Sequence, residues 1–510
     1  MLHLCNYPNM SNQKILYIGN ETEDTDHKVF QLAQEHNTIN HGLVFDKSFV
    51  PTQAGYYHTT VADISPGGIA HLASKFSQVI MLDQSKESYP HWKSFIGTFR
   101  LMYDLEQTGH TVVYRENECN KDISYWHDKL RENKSICFYP FLGLIDNLGS
   151  NGICPKNVDN FTKITSTEDW RTNVKYNDMR EKMLRGEPIT EWCQDCYQQE
   201  SFGQESTRQF ETLEWTTRLD FKSISDFKKI TAPAYYEIRP SNKCNVMCRT
   251  CDNVRSHLIE KEWKTIKVPL IFYEPGNIIY DQIDFAQVKR IYVGGGEPTV
   301  MTEFYDFLSR CIADGHTNFE LVIGTNGMKF SNKIINLISK FSDVCFSVSF
   351  DGYKKVGDYV RWGTDFDTVA NNARMLLDQG HKVGLQTVFS MYNITRMHEI
   401  FEFYDQEFPN SSLLIQYASF DKDIMTPYNH PCREMVIDSM QRCTQTQVYY
   451  SNGRSCKTQV DATINWYKNE YKLDVDKLKK FYEFNDKLDK SRGSHLADYI
   501  PELAQARSMI

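Results

Sequence analysis

Three cysteines within eight residues constrain this 510-residue chain more than any other feature of its sequence. Cys244, Cys248 and Cys251 follow the spacing C-x3-C-x2-C. Three thiolates on one short loop can bind three irons of a [4Fe–4S] cube and leave the fourth iron without a protein ligand. A structural zinc site prefers four protein ligands, so this loop fits zinc poorly. The spacing therefore predicts an iron–sulfur cluster with one open coordination position.

Composition places these cysteines in an ordinary soluble protein. The net charge of −9 argues against a general nucleic-acid-binding surface. The N-terminus lacks a charged segment followed by an apolar one, and no run of 18 apolar residues occurs, so we expect a cytoplasmic protein without a membrane span. In that compartment thiols and metal ligands are expected rather than disulfides. We expect the scattered cysteines to be small, mostly buried apolar residues: Cys5, Cys119, Cys311, Cys345, Cys432, Cys443 and Cys456.

Residues 1–132 are predicted to form a Rossmann-like α/β accessory domain. Short β-rich runs occur at 14–18, 43–45, 78–82 and 111–114, with a helical stretch at Ile69–Phe76 among those between them. Alternating strands and helices predict a parallel sheet. Only one glycine follows the first strand, so a dinucleotide site is not expected. We expect this domain to recognise substrate or dock a partner.

Residues 133–231 contain a second cysteine group. Cys137 and Cys154 lie in a predicted hairpin, whose strands we place at 136–141 and 153–154, and Cys193 and Cys196 form a C-x2-C pair after a helix that begins near Thr167. Four cysteines that converge can hold either a second [4Fe–4S] cluster or a structural zinc ion. Both alternatives stay open at this point.

Residues 232–420 are predicted to contain six strand–helix units, and residues 421–510 a helical tail. The predicted strands are 234–238, 290–293, 319–323, 344–349, 383–389 and 413–417. In parallel βα folds, ligands bind at the C-terminal ends of the strands. The cysteine loop leaves the first of these strands at such an end.

Glycine-rich and polar motifs follow the next three strands. Gly294, Gly295, Gly296 and Glu297 precede Pro298 after the second strand, where glycines let a ligand approach the backbone. Thr325 and Asn326 precede Gly327 after the third strand. Ser349 ends the fourth strand in the run Ser-Phe-Asp-Gly, and Arg361 follows in Tyr-Val-Arg-Trp-Gly. A guanidinium group suits a carboxylate ligand, and we expect Asp351 to cap the turn or orient its neighbours.

These motifs, in this order on consecutive strands, resemble those of the radical S-adenosylmethionine (SAM) superfamily. The resemblance implies a partial (β/α)6 barrel in which the open iron binds the amino and carboxylate groups of SAM. It assigns the backbone of Gly294, Gly295 and Gly296, with Glu297, to the amino group. It places Thr325 and Asn326 at the SAM site, and Ser349 and Arg361 on the carboxylate. Gln386 and Asn393 on and after the fifth strand are further candidates for the ribose or adenine.

The second cysteine group resembles the twitch or SPASM-like auxiliary-cluster module of phage-type and bacterial radical SAM proteins. Two departures stand out: the module precedes the barrel instead of following it, and Thr250 stands where the family often has an aromatic residue. The resemblance implies cleavage of SAM to a 5′-deoxyadenosyl radical, hydrogen abstraction from a peptide, protein or small molecule, and an external flavodoxin- or ferredoxin-type electron donor. The alternatives are an enzyme that modifies nucleotides or RNA, and a non-catalytic iron–sulfur or zinc scaffold.

Overall fold

A computed structural model describes four strands between residues 15 and 114 and most of residues 129–509. Outside the description lie the rest of residues 1–128, a few single positions, and the segments 148–149, 156–163, 165–166, 273–279, 419–423 and 451–454. The chain divides into two compact units, Met1–Tyr125 and Trp126–Ile510. The finer division of the second unit into three domains stays a prediction.

The first unit contains a parallel sheet. Its strands are β1 (Ile15–Gly19), β2 (Asn40–Val44), β3 (Gln78–Met81) and β4 (Thr111–Tyr114). They pair in the order β2-β1-β3-β4, and every pairing is parallel. The predicted strands and the parallel sheet are therefore confirmed, whereas the predicted helix at Ile69–Phe76 lies outside the described residues.

The second unit is built on a sheet of eight strands. They are β5 (Gly143–Asn147), β6 (Ser150–Gly152), β7 (Tyr235–Ile238), β8 (Arg290–Val293), β9 (Glu320–Thr325), β10 (Asp343–Ser349), β11 (Lys382–Phe389) and β12 (Leu413–Tyr417). The order from one edge is β12-β11-β10-β9-β8-β7-β5-β6. Strands β7 to β12 match the six predicted strands and pair in parallel, in chain order. This is the open parallel sheet of a partial barrel.

One strand of this sheet comes from the cysteine-rich region. Strand β5 pairs in parallel with β7, so the sheet has seven parallel strands instead of six. The predicted hairpin exists, but its strands are β5 and β6 rather than residues 136–141 and 153–154. Tyr139–Leu142 is instead a short helix with Pro140 in its first turn. Proline lacks an N–H and has a fixed φ, which suits a helical first turn better than a strand.

Helices connect the strands and form the region after β12. They are Tyr139–Leu142, Thr167–Thr172, Val174–Arg185, Thr190–Ser201, Thr207–Arg218, His257–Ile266, Thr302–Ala313, Asn332–Ile338, Lys355–Val360, Phe366–Asp378, Met397–Glu407, Arg433–Cys443, Lys457–Asn469, Val475–Arg492, Leu496–Tyr499 and Pro501–Ala506. The predicted helical tail is thus found. No helix in the described part of the chain is long and apolar enough to cross a membrane.

Local sequence explains the main elements of the barrel. In β11 the side chains of Val383, Leu385, Thr387 and Phe389 are buried, and the alternate positions are half-buried, which is the period-two pattern of a strand with one more open face. In the helix Thr302–Ala313 the side chains of Phe304, Phe307, Leu308 and Cys311 are buried, which is the spacing of a helix with one apolar face. Four of the scattered cysteines, Cys311, Cys345, Cys443 and Cys456, are buried as expected, and Cys432 is half-buried.

A layer of buried charge lies where the helix Thr207–Arg218 meets the barrel strands. Arg290 on β8 donates to Glu214 at 2.5 Å and to Glu320 on β9 at 2.6 Å. Burial raises the pKa of Glu320, but Arg290 and Arg218 outweigh it and bring that pKa to about 2. Burial and the neighbouring Glu214 raise the pKa of Glu211 to about 8. The Oε2 atom of Glu211 is buried and has no hydrogen-bond partner.

Glu211→Gln should make the protein more stable than wild type at alkaline pH. A carboxyl whose pKa is raised on folding stabilises the folded state below about pH 4.5, and this contribution is lost as pH rises through about 8. The amide of glutamine cannot ionise, so the variant keeps this stabilising contribution at alkaline pH. We expect the difference in unfolding free energy to grow by a few kcal/mol (order of magnitude) between pH 5 and 9, by denaturant titration.

Glu181→Gln is the control, because Glu181 lies exposed on the helix Val174–Arg185. This variant should show no comparable change with pH. An equal pH dependence of wild type and Glu211→Gln would contradict a neutral, buried Glu211.

Candidate functional site

The cysteine loop and three motif loops meet at one edge of the sheet. They follow the C-terminal ends of β7, β8, β9 and β10, which end at Ile238, Val293, Thr325 and Ser349. Because these strands are parallel and neighbouring, their C-terminal ends lie side by side. The structure thus brings the predicted motifs together in the place where βα folds bind ligands.

Backbone hydrogen bonds connect the cysteine loop to the end of the short helix Lys355–Val360 and to the residues that follow it. The N–H of Met247 donates to the carbonyl of Trp362, and the N–H of Arg249 donates to the carbonyl of Val360, both at 2.7 Å. Gly363, whose φ is +96°, lies beside Val246, since a Cβ atom added to it would be 3.6 Å from the Cα atom of Val246. Residues between the first and third cysteine therefore have fixed partners on another strand's loop.

The three thiols of this loop lie within electrostatic reach of one another. Burial and then Cys248 raise the pKa of Cys244 to about 12. Burial raises the pKa of Cys251 most, followed by Asp252 and the other two thiols of the loop. Burial also raises the pKa of Cys248, whereas Arg361 and Arg492 lower it. Three crowded thiols become thiolates only with a strong cationic partner, and iron is such a partner.

The guanidinium group of Arg361 has one nitrogen with a hydrogen-bond partner and one without. Its Nη1 donates to Asp351 at 2.7 Å. Its Nε is buried and has no hydrogen-bond partner. Burial lowers the pKa of Arg361, but Cys248 and Asp351 raise it well above the ordinary value. A donor beside the thiols without a protein partner is what a bound carboxylate requires.

Asp351 orients this arginine, as expected. Its Oδ2 accepts the bond from Arg361, and its Oδ1 accepts from the N–H of Val388 at 2.8 Å. Asn393 donates to the carbonyl of Asp351 and to that of Val388, so its amide N–H groups are used within the protein. Ser349 is half-buried at the end of β10, in register with Gln386 on β11.

The glycine motif approaches the stem of the cysteine loop. A Cβ atom on Gly296 would lie 1.9 Å from the carbonyl oxygen of Lys243, and one on Gly295, whose φ is +102°, would lie 2.6 Å from that of Ser241. The N–H groups of Gly296 and Glu297 donate to these same two carbonyls. Two of the three glycines are therefore needed for backbone packing against the cysteine loop. Gly294 continues β8 by donating to the carbonyl of Ile238.

Glu297 joins two of the motifs through its buried carboxylate. Oε1 accepts from the N–H and hydroxyl of Thr299 and from the hydroxyl of Thr325, and Oε2 accepts from the N–H of Asn326 at 2.6 Å. Burial raises the pKa of Glu297, and these hydrogen bonds lower it. Asn326 then donates to Asn245 of the cysteine loop at 2.7 Å. These contacts make Glu297 an anchor of the site's geometry.

The second cysteine group also comes together. Burial raises the pKa of Cys137 well above its ordinary value, and Cys154, Cys193 and Cys196 raise it further, in that order. Cys193 and Cys196 lie one turn apart on the helix Thr190–Ser201. Burial and then Cys196 raise the pKa of Cys193 to about 12.

A buried ion pair supports these four thiols. Arg208 donates to both carboxylate oxygens of Glu200, at 2.9 and 2.8 Å, and to the carbonyl of Ile136 at 2.8 Å. Cys137 is among the groups that raise the pKa of Arg208, so this cation faces the thiols. Arg208, like Asn245, did not stand out in the sequence, although a basic residue near clustered cysteines is a usable signal.

The donor chemistry at both groups fits iron–sulfur clusters. Among the described residues, no three His, Cys, Asp or Glu side chains converge on one point that a single metal ion could occupy. A cube does not require that convergence, because each thiolate binds a separate iron. Buried arginines next to each group favour an anionic cluster in a site of low dielectric constant.

Comparison with known families identifies the barrel. Residues 238–404 match the radical SAM superfamily. This segment is a radical SAM domain. It begins at the end of β7, includes the cysteine loop, and ends in the helix Met397–Glu407, so it contains all of the motif loops described above.

Curated proteins similar to this chain include the mycofactocin maturase MftC. The protein from Mycobacterium tuberculosis is 26% identical over 123 residues, which are 24% of this chain and 31% of the relative. That from Mycolicibacterium smegmatis is 24% identical over 158 residues, 31% of this chain and 38% of the relative. The chain thus spans about a third of the length of the curated relatives it matches.

Solved structures with low similarity include two that contain SAM. Native anSMEcpe with bound AdoMet has a TM-score of 0.31 at 14% identity and covers 42% of this chain and 60% of its own. SuiB from Streptococcus suis bound to S-adenosylmethionine has a TM-score of 0.30 at 16% identity and covers 56% and 62%.

Gly296→Ala should displace the cysteine loop. The added Cβ would overlap a backbone carbonyl that cannot rotate away, so we expect the free energy of unfolding to fall by about 1–3 kcal/mol, by thermal or chemical denaturation. Gly384→Ala is the matched control within the barrel, because its Cβ would lie 3.2 Å from the hydroxyl of Ser412 and 3.9 Å from the nearest backbone atoms. Equal stability of the two variants would argue against the close packing of Gly296.

Proposed function

We propose that this protein is a radical SAM enzyme that uses Cys244, Cys248 and Cys251 to hold a [4Fe–4S] cluster and cleaves SAM to abstract hydrogen from a substrate. One observation carries the proposal. The cysteine loop is hydrogen-bonded to the loops after β8, β9 and β10 within a radical SAM domain. Those loops contain the residues that resemble the family's SAM motifs.

The chain's own residues would hold SAM in the following way. Arg361, fixed by Asp351 and with a free Nε donor, would bind the carboxylate of the methionine part together with Ser349. The backbone of Gly294, Gly295 and Gly296 would bind the amino group. Glu297 positions that backbone together with Thr325 and Asn326, because its carboxylate already accepts bonds from both of these residues.

When bound, a [4Fe–4S] cluster supplies the electron that cleaves the sulfonium of SAM to a 5′-deoxyadenosyl radical. The barrel contributes by excluding water and other hydrogen donors from the edge of the sheet. The carboxylates of Glu297 and Asp351 are buried and hydrogen-bonded within the protein, whereas the Nε of Arg361 is left for a ligand. An external flavodoxin- or ferredoxin-type protein would supply the electron.

We assign the four cysteines of the second group to an auxiliary [4Fe–4S] cluster. Their mutual proximity and the buried Arg208–Glu200 pair support a charged cluster in this position. Strand β5, between Cys137 and Cys154, pairs with β7, the strand that precedes the cysteine loop. The name of these similar proteins, mycofactocin maturase, supports a maturation reaction, and we propose a peptide, a protein or a small molecule as the substrate.

Replacing the three loop cysteines by alanine should abolish SAM cleavage. Each thiolate is the sole protein ligand of its iron, so the triple variant should make no 5′-deoxyadenosine above background under anaerobic, reducing conditions. Cys311→Ala is the matched control, since Cys311 is buried on the helix Thr302–Ala313. Sustained 5′-deoxyadenosine formation by the triple variant would refute the proposed function, and a normal folded spectrum would exclude simple unfolding.

The second cysteine group should double the iron content. Anaerobically reconstituted wild type should bind about eight irons per chain, and Cys193→Ala with Cys196→Ala about four, by colorimetric iron analysis. SAM cleavage should persist in this double variant. Four irons in the wild type, with one zinc ion per chain after anaerobic purification, would support a structural zinc site in its place.

A further inference from the structure

The residue after Cys248 connects the cysteine loop to the C-terminal region. Arg249 is fully buried, and each of its three guanidinium nitrogens donates a hydrogen bond. Nε donates to the carbonyl of Tyr359 at 2.9 Å, Nη1 to Asn485 at 3.1 Å, and Nη2 to Asp489 at 2.7 Å. The group also lies 3.6 Å from the ring centroid of Tyr359. Such a fork with an aromatic ring below it fixes the orientation of an arginine.

The carboxylate of Asp489, the partner of Arg249, also accepts several other hydrogen bonds. Besides Arg249, Asp489 accepts from the hydroxyls of Tyr359 and Ser494, from the side-chain amide of Asn485 and from the N–H of Leu496. Gly493 ends the helix Val475–Arg492 with a φ of +63°, and this turn brings Ser494 and Leu496 back to the carboxylate. Asp489 is thus held by the helix, its C-terminal turn and the barrel.

A second buried ion pair ties the same helix to the element after the cysteine loop. Arg492 donates through Nε and Nη2 to the two oxygens of Glu262, at 2.9 and 2.6 Å. Glu262 lies on the helix His257–Ile266, whose Trp263 packs against Phe484 at a ring-centroid distance of 6.0 Å. The helix Val475–Arg492 therefore forms buried ion pairs with both the cysteine loop and the helix that follows that loop.

We infer that Arg249 and Asp489 are positioning residues for the catalytic cluster, and that the helix Val475–Arg492 is a working part of the cluster site. The inference deepens the proposed function, on which it rests. Arg249 adjoins a cluster ligand in the chain, and its side chain connects the cysteine loop to Tyr359 and to Asn485 and Asp489 of the helix Val475–Arg492. Any shift of this helix would move Cys248 relative to Arg361 and the SAM motifs.

The test compares Arg249→Met with Arg507→Met in the full-length protein. Arg507 is a matched control, because it forms a two-bond pair with Asp486 on the outer side of the same helix, with both side chains about half exposed. In metal-free protein, amide hydrogen exchange of residues 244–254 should be at least tenfold faster in Arg249→Met than in wild type. Arg507→Met should leave it unchanged.

A second readout separates positioning from stability alone. In reconstituted protein with Cys193 and Cys196 replaced by alanine, Arg249→Met should alter the electron paramagnetic resonance spectrum of the reduced cluster and its change on adding SAM. Arg249→Lys keeps the positive charge but loses the planar guanidinium group. It should therefore bind as much iron as wild type and show a spectrum between those of wild type and Arg249→Met. Should Arg249→Met fail to fold, Asp489→Asn, with Asp486→Asn as its control, provides the same comparison.

Two results would overturn the inference: equal exchange in residues 244–254 for Arg249→Met and Arg507→Met, or unaltered spectra in both Arg249→Met and Arg249→Lys. These outcomes are distinct from failure of the proposed function. If wild type bound no iron through Cys244, Cys248 and Cys251, the proposed function would fall. The exchange measurement on metal-free protein would still decide whether Arg249 fixes the loop.

Discussion

The buried carboxylate of Glu297 is the interaction on which the geometry of the site depends. It accepts four hydrogen bonds, and the two from Thr325 and Asn326 join the loop after β8 to the C-terminal end of β9. A buried carboxylate is costly unless such bonds satisfy it, and it then becomes a rigid joint. Asn326 extends the joint to Asn245 of the cysteine loop. Loops from three separate strands are thereby fixed to each other before any ligand binds.

The same principle recurs on the other side of the cysteine loop. Asp351 holds Arg361, and Asp489 holds Arg249, each through a buried pair whose remaining hydrogen-bond sites are mostly filled by neighbours. Removing one partner from such a pair typically costs about 3–5 kcal/mol, because the other charge is left buried and alone. The site therefore combines three crowded thiols with a surrounding frame of carboxylates and arginines. That frame is what allows a short, irregular loop to present its thiols in a defined arrangement.

Most of the barrel was predictable, because local sequence specifies it. Strands β7 to β12 are rich in β-branched, aromatic and other apolar residues, and each motif loop contains a glycine suited to a turn. Strand β5 was missed because its five residues lack a clear pattern and it is stabilised by pairing with β7. The pairing of Arg249 with Asp489 spans 240 positions in the chain, and no local pattern encodes it. Likewise, the sequence indicated Glu297 as a ligand contact, but only the fold shows that both of its oxygens already have partners.

The central claim is that three cysteines leave one iron open to SAM. Electron–nuclear double resonance of the reduced wild-type protein, with SAM carrying ¹⁵N in its amino group, tests it most directly. The account predicts a ¹⁵N coupling to the cluster spin that disappears when SAM is omitted, since the amino nitrogen would bind the open iron. A reduced cluster at Cys244, Cys248 and Cys251 without any such coupling in the presence of saturating SAM would contradict the account.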